Sequence, residues 1–219
     1  RDRVHVMSEC VIDHIVIAAP ELEAGAARVE KCLGVKPQLG GQHPRMGTHN
    51  RLLRLGKEGY LEVIACNPFA DKPDRPRWFA LDELDGAAPM RMQTWVARTG
   101  NIREALACSS ETLGEIEAMS RGDLNWHISI PRDGRLPLGG SAPALIEWSD
   151  GMHPAAQLED CGLSLAELQL YSPQPERVER LLDSLGFTGP VKVLAGKSAK
   201  LCALIDTPYG TRTLHDSTE

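Results

Sequence analysis

The stretch Gly41-Gln42-His43-Pro44-Arg45-Met46-Gly47-Thr48-His49-Asn50-Arg51 sets two histidines, an asparagine and two guanidinium groups beside an apolar run that continues to Tyr60-Leu61-Glu62-Val63-Ile64-Ala65. Hydrogen-bonding groups against apolar surface are costly unless they are satisfied or used, which makes this the leading site candidate. Glu62 has the sharpest case. A carboxylate between Leu61 and Val63 in a buried strand must be paired, protonated or metal-bound, with Arg51 or Arg54 as its partner if the role is structural. Counting back from the loop Gly56-Lys57-Glu58-Gly59 sets Glu62 opposite Leu53, with Arg51 and His49 further along the same face, where Arg51 would orient an anionic substrate. His49-Asn50 ends a Gly-Thr loop that either folds over a ligand or caps itself. His43, before Pro44, contacts substrate or fixes a turn.

Outside that stretch, Glu147 in Leu145-Ile146-Glu147-Trp148 has the same sequence context as Glu62. Glu62, Glu147 and His49 are the candidates for catalysis. His43, His49, Asn50, Arg51, Trp126, His127, Trp148 and His153 are the candidates for substrate contact. The two tryptophans read as walls, and His127 can face either way between Trp126 and Ile128. His153-Pro154 follows a strand end, where loops present functional groups. His14 sits mid-strand and is either a hydrogen-bonded core residue or a functional imidazole. His5 and His215, near the ends, are expected to be solvated. No Ser-His-Asp order, phosphate loop or dinucleotide fingerprint stands out.

The remaining totals narrow the partner. With 42% hydrophobic and 25% charged residues the chain has a globular composition, and 219 residues can bury a substantial core. A net charge of −6 with scattered Lys and Arg argues against nucleic acid, which needs a basic face. A small-molecule substrate is expected instead. The six cysteines are spread without a C-x-x-C pair and read as reduced thiols, which fits the cytoplasm. No apolar run approaches the ~20 residues that span a bilayer. Residues 1–6 are expected to be a leader remnant ahead of a start at Met7.

The elements that must position these groups repeat. Residues 12–18 form a strand, and Pro20 opens a helix with Leu22, Ala26, Val29 and Leu33 on one face that Gly34 ends. Strands follow at 35–39, 49–55 and 60–66, giving β-α-β-β-β. Residues 67–91 hold four prolines and form a linker with one short helix near 77–84. A second copy runs over 92–149, with Asn101 as N-cap, and a third over 164–215, with Gly186 ending its helix. The expected class is α+β, tandem βαβββ units within one domain of about 12–215, with curled mixed sheets forming a cleft or partial barrel.

A tandem βαβββ unit with Asp13-His14 on the first strand and Leu61-Glu62-Val63 on the last resembles the vicinal oxygen chelate superfamily, which includes glyoxalase I, extradiol dioxygenases and bleomycin-resistance proteins. Residues 12–20, the run from His43 to Asn50, residues 60–65, Trp126-His127-Ile128, Pro143-Ala144-Leu145-Ile146-Glu147-Trp148 and His153-Pro154 are similar to its glyoxalase-like domain family in order and spacing. In that superfamily, divalent-metal ligands come from the first and last strands of paired units. The resemblance therefore implies His14 and Glu62 from the first unit. Aligning Val96 with Val16 puts Thr94 where His14 stands, and Glu147 is taken to hold the place of Glu62. The third unit offers Glu167 or Leu168 opposite His14 and no acid near Thr211-Arg212-Thr213.

His14, Glu62 and Glu147 are thus the implied ligands of a Zn, Ni, Mn, Co or Fe ion with an open position, and His49, His127 or His153 could supply a fourth. The metal would stabilise an enediolate of a vicinal-oxygen substrate while a carboxylate or His moves a proton, which covers isomerase, lyase and dioxygenase chemistry. His43, His49 and Asn50, lacking counterparts in the other copies, are expected to set the substrate. The alternatives are a metal-free protein that sequesters a small aromatic or anionic ligand between Trp126 and Trp148, and an interaction module with a decayed site. The third unit is expected to be structural or to complete a barrel, within the chain or across a homodimer.

Overall fold

The computed structural model describes residues 8–149 and 152–216. The expectations for residues 1–6, for a start at Met7 and for His5 lie outside the described residues. The chain opens with β1 (Cys10–Ala18), rich in β-branched residues, and α1 (Leu22–Leu33), which buries Leu22, Ala26, Val29 and Leu33 on one stripe. The helix starts at Glu21, whose carboxylate accepts from the amides of Glu23 and Ala24, and stops at Gly34 in the left-handed region (φ 76°). Strands β2 (Gln38–His43), β3 (Thr48–Leu55) and β4 (Gly59–Cys66) follow. The second run is β5 (Arg91–Thr99), α2 (Ile102–Cys108), β6 (Glu115–Arg121), β7 (Leu124–Ile130) and β8 (Ala144–Trp148). Asn101 caps α2 by accepting from Glu104 N. The third is β9 (Ser164–Ser172), α3 (Pro175–Ser184), β10 (Val191–Ala195), β11 (Lys200–Thr207) and β12 (Gly210–Leu214).

Strands β1 to β8 form one sheet in the order β2-β3-β4-β1-β5-β8-β7-β6, curled into a half-barrel. In each half the first strand pairs in parallel with the last, β1 with β4 and β5 with β8, and the halves join antiparallel through β1 and β5. The third run repeats the order of elements but not of strands. Its sheet is β10-β9-β11-β12, in which β9 is flanked by β10 and β11, and β12 lies at the edge. It does not extend the barrel. Its Leu168, Leu170, Leu201 and Ala203 share one buried cluster with Ile15, Ile17, Trp95 and Ala97 from the convex face, where the three helices also pack.

The period of two separates the faces. Ile15, Ile17, Leu61 and Val63 point to the convex cluster, whereas Val16, Ala18, Ile64 and Val96 line the concave one. Trp78, Phe79 and Leu81 roof the concavity from a 3-10 segment (Trp78–Glu83), the place of the expected short helix. Phe79 and Ala80 are held in the left-handed region (φ 56° and 52°), sparsely populated for residues with a Cβ. The bonds that hold them run from Ala80 N to Gly134 O (2.8 Å) and from Gln93 Nε2 to Phe79 O (2.6 Å). Among the described residues no helix is long and apolar enough to cross a membrane.

Candidate active site

The polar groups of the concave face, Arg121 of β6 apart, come from the first half of the sheet. His14 and Tyr60 are register partners on β1 and β4, and their rings stack at 4.5 Å and 10°. Glu62 follows two residues along β4 and pairs with Leu52 on β3, so Asn50 lies on its face and donates from Nδ2 to Glu62 Oε2 at 2.7 Å. His14 Nε2 stands 3.5 Å from the other carboxylate oxygen. The hairpin closes at Leu55 and Gly59 around a three-residue loop, not the four-residue loop read from sequence. That single residue moves Glu62 from opposite Leu53 to opposite Leu52 and flips its companions. Arg51 and His49 therefore face outward. Arg51 pairs with Glu23 at 2.8 Å, and His49 lines a surface groove with Pro20, Glu23 and Phe69.

Asp13 was not singled out by sequence, and it anchors the site. In a regular strand it would face away from His14. A bulge between the pairs Ile12–Ala97 and His14–Val96 leaves Asp13 as the extra residue, and its fully buried carboxylate turns beside the imidazole. Asp13 Oδ2 accepts from His14 Nδ1 at 2.6 Å. Its Oδ1 accepts from Arg98 (3.0 Å), Trp148 Nε1 (3.0 Å) and His153 Nε2 (2.8 Å). Ala155 N donates to His153 Nδ1 at 3.2 Å, so the proton of His153 sits on Nε2 and goes to Asp13. His153 and Trp148 are thus brought to the site, the former as support for Asp13.

Charge follows this network. Burial alone would lower the pKa of His14, but the hydrogen bonds and charges of Asp13 and Glu62 outweigh it and raise it from 6.5 to about 9. Burial would raise Glu62, and the His14 hydrogen bond, the His14 and His43 charges and the Asn50 amide instead hold it at about 2. Asp13 is pulled well below the carboxylate range by His14 and His153 against its own desolvation. His43 is buried, edge-on to Trp78 at 5.0 Å, bonded through Nδ1 to Thr48 Oγ1 at 3.1 Å, and lowered by burial to about 4. The result is an imidazolium held between two carboxylates, with a neutral imidazole nearby.

The cavity over these groups has a volume of about 20 Å³, room for about one water. His14, His43, Asn50, Tyr60, Glu62 and Arg121 make its polar wall, and Trp78, Phe79, Trp126, Ile128, Ile146 and Trp148 its apolar wall. His127 is exposed on the other face of β7. Glu147 also turns away: it is half-buried, and its Oε1 accepts from Ile102 N at the start of α2 at 3.0 Å. Strand register explains this. Val16 pairs with Glu62, but Val96, aligned with Val16, pairs with Ala144, so an alanine holds the place given to Glu147. Thr94, at the counterpart of His14, donates to the carbonyls of Gly140 and Ala142. The metal set implied by resemblance is therefore reduced from three residues to two, His14 and Glu62. Among the described residues no three His, Cys, Asp or Glu side chains are grouped to hold an ion, and His14 with Glu62 alone does not fit a three-ligand centre.

A family described as a glyoxalase-like domain matches residues 12–186. The chain belongs to the glyoxalase-like domain family. This glyoxalase-like chain is also similar in structure to a hypothetical protein from Staphylococcus aureus, at 13% identity over 87% of this chain and 88% of that one, with a TM-score of 0.58. A Mn(II)-bound glyoxalase from Novosphingobium aromaticivorans is 10% identical over 96% of this chain and 84% of its own, with a TM-score of 0.52. A methylmalonyl-CoA epimerase from Streptomyces coelicolor is 14% identical over 67% of this chain, with a TM-score of 0.41. At these identities the likeness concerns the fold alone. A comparison with curated proteins gave no match.

Proposed function

We propose that this glyoxalase-like protein is an enzyme of isomerase or lyase type that moves a proton next to a carbonyl in a small substrate carrying two adjacent oxygens. The observation that carries the reading is the buried line Asp13, His14, Glu62, with Nε2 of the imidazolium at the cavity wall. His14 would donate a hydrogen bond to the oxygen that becomes negative when the neighbouring carbon loses its proton. Glu62 would take that proton. A substrate oxygen that captures the Nε2 hydrogen bond also removes the interaction that keeps Glu62 acidic, so the base strengthens when the site fills. Asp13 fixes the imidazole's orientation and charge. The apolar wall limits water at the site, and the cavity must widen to hold anything larger than a water. The six free cysteines support a reducing, cytoplasmic setting.

The test is hydrogen–deuterium exchange of C–H bonds next to the carbonyl in dihydroxyacetone and 2-oxobutyrate, followed by NMR in D2O. The parent protein should exchange one of these probes above the buffer rate, and Glu62→Gln and His14→Gln should each lose about 10²- to 10⁴-fold. Equal exchange in parent and variants would sink the reading. Ligand sequestration without chemistry is the second reading, favoured by Trp126 and Trp148, whose ring centroids lie 5.2 Å apart on the apolar wall. It is supported instead if a ligand binds and no exchange occurs.

A further inference from the structure

We propose that the substrate is a small carboxylate and that Arg121 selects it; this rests on the proton-transfer reading of the same cavity. Arg121 ends β6, an edge strand, and its side chain reaches across the seam between β6 and β2 to the cavity wall. Its stem lies on Gly41, where a Cβ would stand 2.4 Å from Arg121 Cδ. Among the described residues its guanidinium has only a weak contact, NH1 to Asn50 Oδ1 at 3.5 Å, and that oxygen already accepts from Gly41 N at 2.8 Å.

Neighbouring arginines are matched. Arg98 pairs with Asp13 at 3.0 Å, Arg45 and Arg75 with Glu117 at 2.6 and 2.9 Å, and Arg77 with Asp82 at 2.6 Å. Among the described residues no carboxylate lies within ion-pair distance of Arg121. At the cavity His14 and Glu62 offset each other, so Arg121 is the charge left over, set beside a carboxylate that would otherwise repel an anion. A guanidinium fork presents paired donors that match a carboxylate. With the anion on Arg121, an adjacent oxygen would point toward His14, and a short apolar or aromatic tail would lie on the wall of Trp126 and Trp148. The class this describes is a 2-oxo or 2-hydroxy carboxylate.

The experiment compares binding of phenylglyoxylate and its uncharged methyl ester, read by calorimetry and by quenching of tryptophan fluorescence. The parent should prefer the acid over the ester by about tenfold or more. Arg121→Gln should lose the preference with ester binding unchanged, and Arg121→Lys, which keeps charge and stem, should retain part of it. The lysine variant also serves as the test if the glutamine variant does not fold. Equal affinity for acid and ester, a preference that survives Arg121→Gln, or no binding of either probe would overturn the proposal. His14→Gln should keep the preference while losing proton exchange. A preference that depends on Arg121 in a parent without exchange would leave the anion site standing and remove the proton-transfer reading alone.

Discussion

At the scale of residues, the site is defined by how Asp13, His14 and Glu62 charge one another, and this ties stability to pH. His14 is raised above its unfolded value, so its contribution is complete below pH 6.5 and is lost as pH rises toward about 9. Glu62 is depressed, so its contribution is complete above pH 4.5 and is lost as pH falls toward about 2. His43 is buried neutral, and its cost grows as pH falls from 6.5 toward about 4. Denaturant unfolding across pH should therefore show an alkaline loss between 6.5 and 9 that His14→Gln removes, and an acid limb from which His14→Gln takes the Glu62 part and leaves the His43 part, between 6.5 and about 4, in place. An unchanged alkaline limb in that variant would count against the imidazolium. Glu62 and His43 were visible in sequence because polar groups stood in an apolar run. Asp13 was not, since an acid next to a strand histidine is assigned to the opposite face unless a bulge is known.

At the scale of elements, register decided what sequence could reach. The order of strands and helices in the first two units, and helix α1 with its glycine stop, followed from periodicity and end signals. A hairpin loop shorter by one residue then exchanged Arg51 and His49 for Asn50, and the pairing of Val96 with Ala144 placed Glu147 on the helix side. Glu147→Ala should lower stability by about 1 kcal/mol through the lost acceptor at the start of α2, while acid–base behaviour at the site stays as in the parent. Thermal or denaturant unfolding alongside the exchange assay checks both halves. Strand β2 carries a bulge between the pairs Leu39–Arg51 and Gln42–His49, where Gly40 and Gly41 face Asn50. A Cβ at Gly40 would meet Asn50 Oδ1 at 2.0 Å and its backbone oxygen at 2.7 Å. Gly40→Ala should cost about 1–3 kcal/mol and disturb the Asn50–Glu62 bond. Gly41→Ala meets only the flexible Arg121 stem and should cost less stability, with its effect on anion preference. Equal unfolding midpoints for the two variants would contradict this.

At the scale of the whole molecule, the half-barrel is asymmetric: the first half supplies the polar groups other than Arg121, the second supplies that arginine and the Trp126–Trp148 wall, and the third run backs the sheet. The fold class was legible because element order recurs, but element order does not specify strand order, which depends on pairings far apart in sequence. Because the two sheets share one apolar cluster, Leu168→Ala, distant from the cavity, should destabilise the whole chain by about 2–5 kcal/mol in a single transition. Two separate unfolding steps would show that the third run stands alone. The central claim is that the site works through an imidazolium clamped by two carboxylates. It is tested most directly by an imidazole titration with nitrogen-resolved NMR. His14 should carry protons on both ring nitrogens through pH 7 and lose one only near pH 9, while His43 stays neutral until about pH 4. A His14 that is a neutral single tautomer at pH 7 and titrates near 6.5 would contradict it.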